Sequence, residues 1–394
     1  MSRRLPAWAA WNPVAAEHPW TLGVEEEVML VDATSGVLVP RVDEVLLALA
    51  DELGGHAAAE THASVLELAT HPQATVHEAV DELARLRAAL AGGLDALGVQ
   101  GAVAGTHPFA RAGDSQVSEG ARYQAIHESM RDLARREPTF ALHVHVAVPT
   151  PEAAVRALDG LRAHLPVLLG VAANSPFWHG RDSGLAATRI PIFGGFPRTG
   201  LPRHFGSYAA YVEAVDVLLR CGAYPEPTFV WWDARLQPKF GTLEVRVMDA
   251  QTTVGDVGAL VALVQCLVRA LAEGDLHVDW APDQPEVLLE NRFLATRDGA
   301  EAELVDAGGE RRLPLRDWLC DLTANLADHA RDLGCVEELE AVDALAERPG
   351  AARQRELAGD PAPGSALDHA HLLAVLRGLQ AAFVGEPLAV VGGD

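Results

Sequence analysis

Four short stretches of this chain set acids, histidines or an arginine among residues that belong in buried β-strands. They are Gly23-Val-Glu-Glu-Glu-Val-Met-Leu-Val31, Val65-Leu-Glu-Leu-Ala-Thr70, Phe140-Ala-Leu-His-Val-His-Val-Ala-Val148 and Thr242-Leu-Glu-Val-Arg-Val-Met-Asp249. Apolar and polar residues alternate in each with a period near two, which predicts strands whose two faces differ. The polar face then carries Glu25, Glu27, Glu67, His143, His145, Glu244 and Arg246, while Glu26 points the other way. Ionised carboxylates gathered on one face repel unless cations lie between them. The pattern implies a sheet whose concave face suits divalent metal and polyphosphate. Three plainer readings compete: a solvated face for the acids, hydrogen-bonded structural histidines, and a cross-strand ion pair for Glu244 and Arg246.

Composition narrows the partners. A net charge of −24 argues against a nucleic-acid or anionic-membrane partner, since both need a basic surface. Apolar residues make up 49% of the chain, enough for a large core. Cys221, Cys266, Cys320 and Cys335 are far apart and form no Cys-x-x-Cys pair, so neither a zinc ribbon nor a disulfide framework is expected. Arg3 and Arg4 precede an apolar stretch that Asn12-Pro13 cuts short, which argues against a signal peptide. A cytoplasmic enzyme without membrane spans is the expectation.

Residues 1–19 read as an irregular arm, 20–384 as a single catalytic domain and 385–394 as a tail. A strand over about 21–31 ends in the turn Asp32–Gly36, and a helix over 42–53 stops at Gly54-Gly55. Thr75-Val-His-Glu78 is a capping box opening a helix that Gly92-Gly93 weakens or ends. Thr150-Pro151 starts a helix toward Leu169 with Pro166 as a kink or stop. From Asn174 to Phe205 the chain is rich in Gly, Pro, Arg and aromatics, which reads as an ordered lid. Thr228–Asp233 reads as a strand, Arg235–Gly241 as a turn and the last third as helical. The apolar helix over 254–271 should be core, and a homo-oligomer stays open. Strands mixed irregularly with helices indicate an α+β fold with an antiparallel sheet covered on one face.

Glu60, seven residues before Glu67, is a further acid candidate. His143-Val-His145 on a strand is also a geometry met in zinc hydrolases, so a metal-dependent hydrolase is one alternative. Arg246 suits a transferred phosphate because guanidinium matches its planar oxygens. Arg189 and Arg198 in the long loop are candidates for a substrate carboxylate. Lys239, the chain's one lysine, is a candidate phosphate contact, although an exposed lysine needs no such role. No Walker loop, dinucleotide fingerprint or nucleophile elbow is present.

In order and spacing these motifs resemble the glutamate–cysteine ligase type 2, or carboxylate–amine ligase, family over roughly residues 20–370. The resemblance rests on the four stretches above together with Asn174-Ser-Pro-Phe-Trp178, Asp182-Ser-Gly184, Pro197-Arg-Thr-Gly-Leu-Pro202 and Trp232-Asp-Ala-Arg235. Thr199 stands where serine is more usual. The resemblance implies a glutamine-synthetase-like curved antiparallel sheet with helices on one face, binding ATP and Mg²⁺. It implies metal sites at Glu25, Glu27, Glu60, Glu67, His143 and Glu244 and a phosphate contact at Arg246. Glu244 and Arg246 are then the catalytic candidates, and Arg246, with Lys239 from its charge alone, the ATP contacts. Arg189, Arg198, Arg235 and His145 would then bind small-molecule acid and amine substrates. The expected reaction is phosphorylation of a carboxylate and amide formation from the acyl phosphate, with weak glutamate–cysteine ligase activity. A phosphotransferase of the same fold is the other alternative.

Overall fold

The computed structural model describes residues 5–113, 115–276 and 284–385; Arg3, Arg4 and residues 386–394 of the expected tail lie outside them. Seven antiparallel strands form the main sheet: β1 (Leu22–Asp32), β2 (Ala57–Ala59), β3 (Val65–Ala69), β4 (Val99–Ala102), β5 (Ala141–Ala147), β6 (Ala234–Gln237) and β7 (Thr242–Asp249). Their order is β6-β7-β5-β1-β3-β2, and β4 pairs with the last residues of β1. The alternation in β1 is resolved as its period demands. Leu22, Val24, Glu26 and Val28 are buried, whereas Gly23, Glu25 and Glu27 turn to the opposite, more open face.

Helices cover the buried face. The helix Val254–Glu273 is the one described helix long and apolar enough to cross a membrane, and most of it is buried in this core. Helices Val76–Leu94, Pro151–Leu161 and Val336–Glu347 pack around it. The first opens with the expected capping box, Thr75 and Glu78 each satisfying the other's backbone N–H. It runs through Gly92 and Gly93 to Leu94, because burial of Leu90 and Leu94 outweighs the low helix propensity of glycine. The 150–169 segment is two helices, Pro151–Leu161 and Leu165–Val171, with Pro166 inside the first turn of the second, where no N–H is missed.

Other expectations shift in detail. Only Trp231–Trp232 of the 228–233 segment is a strand, and Arg235 sits in β6 rather than a turn. The last third contains a hairpin, Glu303–Asp306 with Arg311–Pro314, besides its helices. The N-terminal arm is docked: the Trp11 indole donates to Val148 O, and Ala9 O accepts from the Tyr208 hydroxyl.

Glu26 shows what the buried face demands of a charge. It lies at 0% exposure and accepts from both Nε (2.8 Å) and Nη2 of Arg87, which reaches across from the helix Val76–Leu94. Thr252 O at 2.9 Å and Gln251 O at 2.7 Å take two further donors, so four of the five guanidinium N–H groups are placed. Removing one partner strands the other charge in the core. Arg87→Met is expected to cost about 3–5 kcal/mol in urea unfolding, and adding Glu26→Gln should recover much of that loss.

Candidate active site

The open face of the sheet brings the acidic motifs together by strand register alone. His143 lies directly opposite Glu25, Glu67 opposite Glu27, and His145 opposite both Gly23 and Glu244. Arg235 faces Glu244 from the other side. Between Val245 and Met248 the β5–β7 pairing slips by a bulge, and Arg246 is the residue it displaces, its N–H bonding Asp233 O at 2.8 Å. Bulges re-aim side chains, and this one leaves an Arg246 Nη1 3.4 Å from His143 Nδ1.

The carboxylates on this face are in three different electrostatic situations. Glu244 is fully buried, which alone would raise its pKa, but Arg235, Arg246 and His145 hold it well below the usual carboxylate range. Arg235 grips it with Nε at 2.6 Å and Nη2 at 3.1 Å, Gln237 adds a bond at 2.7 Å, and Arg246 donates to Oε1. Glu25 also resists its burial. His145 Nε2 at 3.3 Å and His143 Nδ1 at 3.2 Å keep it strongly acidic. Burial, then Arg246, lowers His143 to about 4, whereas Glu25 and Glu244 outweigh burial and raise His145.

Glu27 and Glu67 have no such compensation. Burial and the Glu60 charge push Glu27 up to about 8 despite a 2.6 Å bond from Ala141 N–H. Burial and the charges of Glu25, Glu60 and Glu27 push Glu67 well above its ordinary value. Two carboxylates held opposite each other out of water are the arrangement that a divalent cation relieves. Two overlapping sets, Glu27–Glu67–His143 and Glu25–His143–Glu244, keep their ligand atoms within 4.8 Å of one another. His145 belongs to neither. Its Nδ1 lies 3.0 Å from Thr242 Oγ1 and its Nε2 3.3 Å from Glu25, and among the described residues no metal-type set holds both histidines.

A cavity of about 360 Å³ opens over this face. Glu25, Glu27, Glu60, Glu67, His143, Arg189, Arg235 and Arg246 line it. Arg189 comes from the 174–205 segment, which is ordered as expected but tied down as a wall. Asp249 anchors its start through Asn174 N–H (2.8 Å) and Ser175 Oγ (2.6 Å), and Arg355 holds Asp182. Gly105 makes room for that anchor, since a Cβ there would lie 2.5 Å from the Asp249 carboxyl carbon. Arg235 spends its remaining donors on Thr228 O and Val230 O, both at 2.8 Å, which makes it a support for Glu244 more than a free hand for substrate.

Four candidates do not line the cavity. Glu244 and His145 are buried in β7 and β5, where Glu244 holds Arg246 and His145 Nδ1 lies 3.0 Å from Thr242 Oγ1. Arg198 is stacked over Tyr224 and Trp231 and bonds Phe229 O at 2.8 Å, so it holds the wall from behind. Lys239 is exposed in the β6–β7 turn beside Phe240. Conversely, motif reasoning missed the roof: Tyr123, Ile126 and Met130 of the helix Ala121–Met130, together with Phe193, Phe196 and Trp231. It also missed Glu137, which accepts from the Trp178 indole and lies 3.1 Å from His179. Nothing in their spacing marks these positions, because distant loops bring them together.

Glutamate–cysteine ligase family 2 matches this chain over residues 21–365. The chain belongs to that family. It is therefore a C–N bond-forming ligase on an α+β antiparallel sheet. A Rubrobacter xylanophilus relative designated glutamate–cysteine ligase 2-1 is 42% identical over 369 residues, covering 93% of this chain and 97% of its own. A Roseiflexus protein designated glutamate–cysteine ligase 2 is 34% identical, covering 89% of this chain and 92% of its own. Among solved structures, the glutamate–cysteine ligase of Francisella tularensis in complex with AMP superposes with a TM-score of 0.67. That match covers 97% of this chain and 91% of that one at 13% identity, which shows a shared fold.

The unpaired acids give this family member a pH signature. Glu27 has an ordinary value of 4.5 and a folded value of about 8, so folding becomes less favourable as pH rises through that window. The depressed His143 acts in the opposite sense but only by a few tenths of a kcal/mol, because its unfolded form has already lost about half its protons at pH 6.5. Metal-free protein should therefore lose on the order of 1–2 kcal/mol between pH 6.5 and 8, seen as a falling melting temperature. Mg²⁺ should restore the loss, and Glu27→Gln should flatten the profile.

Proposed function

We propose that this chain is an ATP- and Mg²⁺-dependent carboxylate–amine ligase that activates its acid as an acyl phosphate. The observation that carries the reading is the Glu27–Glu67 pair, short of positive charge, next to two buried arginines with a donor to spare. Arg246 Nε and Arg189 Nε are both buried without a partner, although both side chains line the cavity. Buried donors left open are costly, and an anionic ligand is what completes them. Glu27, Glu67, His143 and Glu25 are the residues that would hold Mg²⁺, with Glu60 beside them. Bound there, the cations would neutralise triphosphate charge and polarise the transferred group.

The chain's own residues supply the remainder. Glu244 is a positioning residue: it fixes Arg246, whose guanidinium offsets charge developing on the transferred phosphoryl group. Arg189, anchored to the carbonyls of Arg246 and Val247, is placed for a second anionic group, the substrate carboxylate or a phosphate. The aromatic roof of Phe193, Phe196 and Trp231 keeps water from the acyl phosphate, so the amine attacks in its place. The amine's attack expels phosphate and forms the amide, without a covalent enzyme intermediate. Glutamate and cysteine are the first acid and amine to try, following the relatives' designations, and ATP as co-substrate fits a cytoplasmic enzyme.

Incubation with Mg²⁺-ATP and L-glutamate, with and without L-cysteine, should give amine-dependent ADP and phosphate plus a new amide by mass spectrometry. A stable phosphorylated acid without amide would favour phosphotransfer. Glu67→Gln and Arg246→Ala should each lower kcat by about 10²–10³-fold while the fold persists, and Lys239→Ala should stay within about twofold of the parent.

A further inference from the structure

Away from that cavity, a second set of metal-type ligands converges where the β2–β3 hairpin meets the helix Val76–Leu94. His56 immediately precedes β2, His71 follows β3 by two residues, and Glu82 rises from the helix. His56 Nδ1 lies 2.8 Å from Ala69 O, so this nitrogen carries the proton and donates it to the carbonyl. Its Nε2 is left as a lone pair, 3.9 Å from Glu82 Oε1. His71 Nδ1 lies 2.9 Å from the same oxygen. The other carboxylate oxygen is occupied: Glu82 Oε2 accepts from His71 N–H at 2.9 Å and from the Gln73 amide at 2.7 Å. Two donors thus orient the carboxylate with one oxygen kept for the histidines.

We propose that His56, His71 and Glu82 bind a borderline transition-metal cation of the Zn²⁺ class, at a site separate from the catalytic face. The ligand atoms already lie within 4.8 Å of one another. Two imidazoles to one carboxylate suit zinc, cobalt or nickel, whereas Mg²⁺ takes a mainly oxygen shell such as the carboxylate-rich catalytic face offers. The carbonyl holding His56 and the amides holding Glu82 are the outer partners that orient metal ligands. Glu82 and His56 are largely covered, at 8% and 17% side-chain exposure, while His71 at 68% gives the ion an entry path and leaves a position for water. An ion there ties both ends of the hairpin that carries Glu60 and Glu67 to the helix behind it. The metal is a staple for the acidic half of the active site, taking no part in the chemistry.

Zinc titration of the full chain in excess Mg²⁺, which occupies the catalytic face, tests this by calorimetry and by metal content after gel filtration. The parent should retain one more equivalent of zinc than His71→Ala, and zinc should raise its melting temperature by about 2–4 °C, a gain absent from the variant. His56→Ala should behave like His71→Ala, and His18→Ala, exposed and in none of the described metal-type sets, should keep the parent's stoichiometry. His71→Ala decides the matter alone, since its exposed ring can be removed without disturbing the core. Equal zinc retention by the parent and His71→Ala, or no zinc retained by the parent, would overturn the proposal.

Discussion

Three consecutive glutamates on a central strand impose a condition that most of this structure answers. Each carboxylate lies where water does not reach freely, so each must meet its own counter-charge. Glu26 meets Arg87, which requires a helix on the buried face with an arginine at that turn. Glu25 meets His143 and His145, which requires β5 beside β1 in one particular register. Glu27 meets another acid, Glu67, because β3 lies on the opposite edge. Two of the three charges are settled within the protein. The third is left for a ligand.

The arginines complete the pattern from the other side of the sheet. Glu244 binds Arg235 and Arg246 together, concentrating positive charge next to the unpaired acids without leaving either guanidinium loose. The bulge in β7 falls at Arg246, which keeps a free buried Nε at the cavity, whereas Arg235 on β6 is spent on Glu244 and two carbonyls. A face with a cation-hungry half and an anion-hungry half is what a metal–nucleotide complex fits, since it presents both charges within a few ångströms. Under the proposed function stability and function pull apart here: Glu26–Arg87 holds the fold, whereas the Glu27–Glu67 pair would be relieved only by a bound cation.

Strand periodicity made the sheet and its acidic face legible, because a two-residue period assigns faces without knowledge of partners. Thr75-Val-His-Glu78 likewise announced its helix through local chemistry. What stayed hidden depended on non-local contacts. Ala57–Ala59 has little strand character of its own and pairs only because β3 is there. Arg87 gave no sign that it would serve Glu26, and nothing in the spacing showed that Glu244, besides sharing a metal-type set with Glu25 and His143, anchors two arginines. Arg198 and Lys239 were plausible from charge alone, but one is claimed by aromatic rings and the other by solvent. The roof over the cavity was invisible for the same reason: three separate segments build it.

Anomalous diffraction from crystals grown with Mn²⁺ and a non-hydrolysable ATP analogue tests the account most directly. It predicts manganese within coordination distance of Glu27 and Glu67, with phosphate oxygens between that ion and Arg246. Crystals in which the nucleotide binds elsewhere, or in which Glu27 and Glu67 remain free of metal, would contradict it.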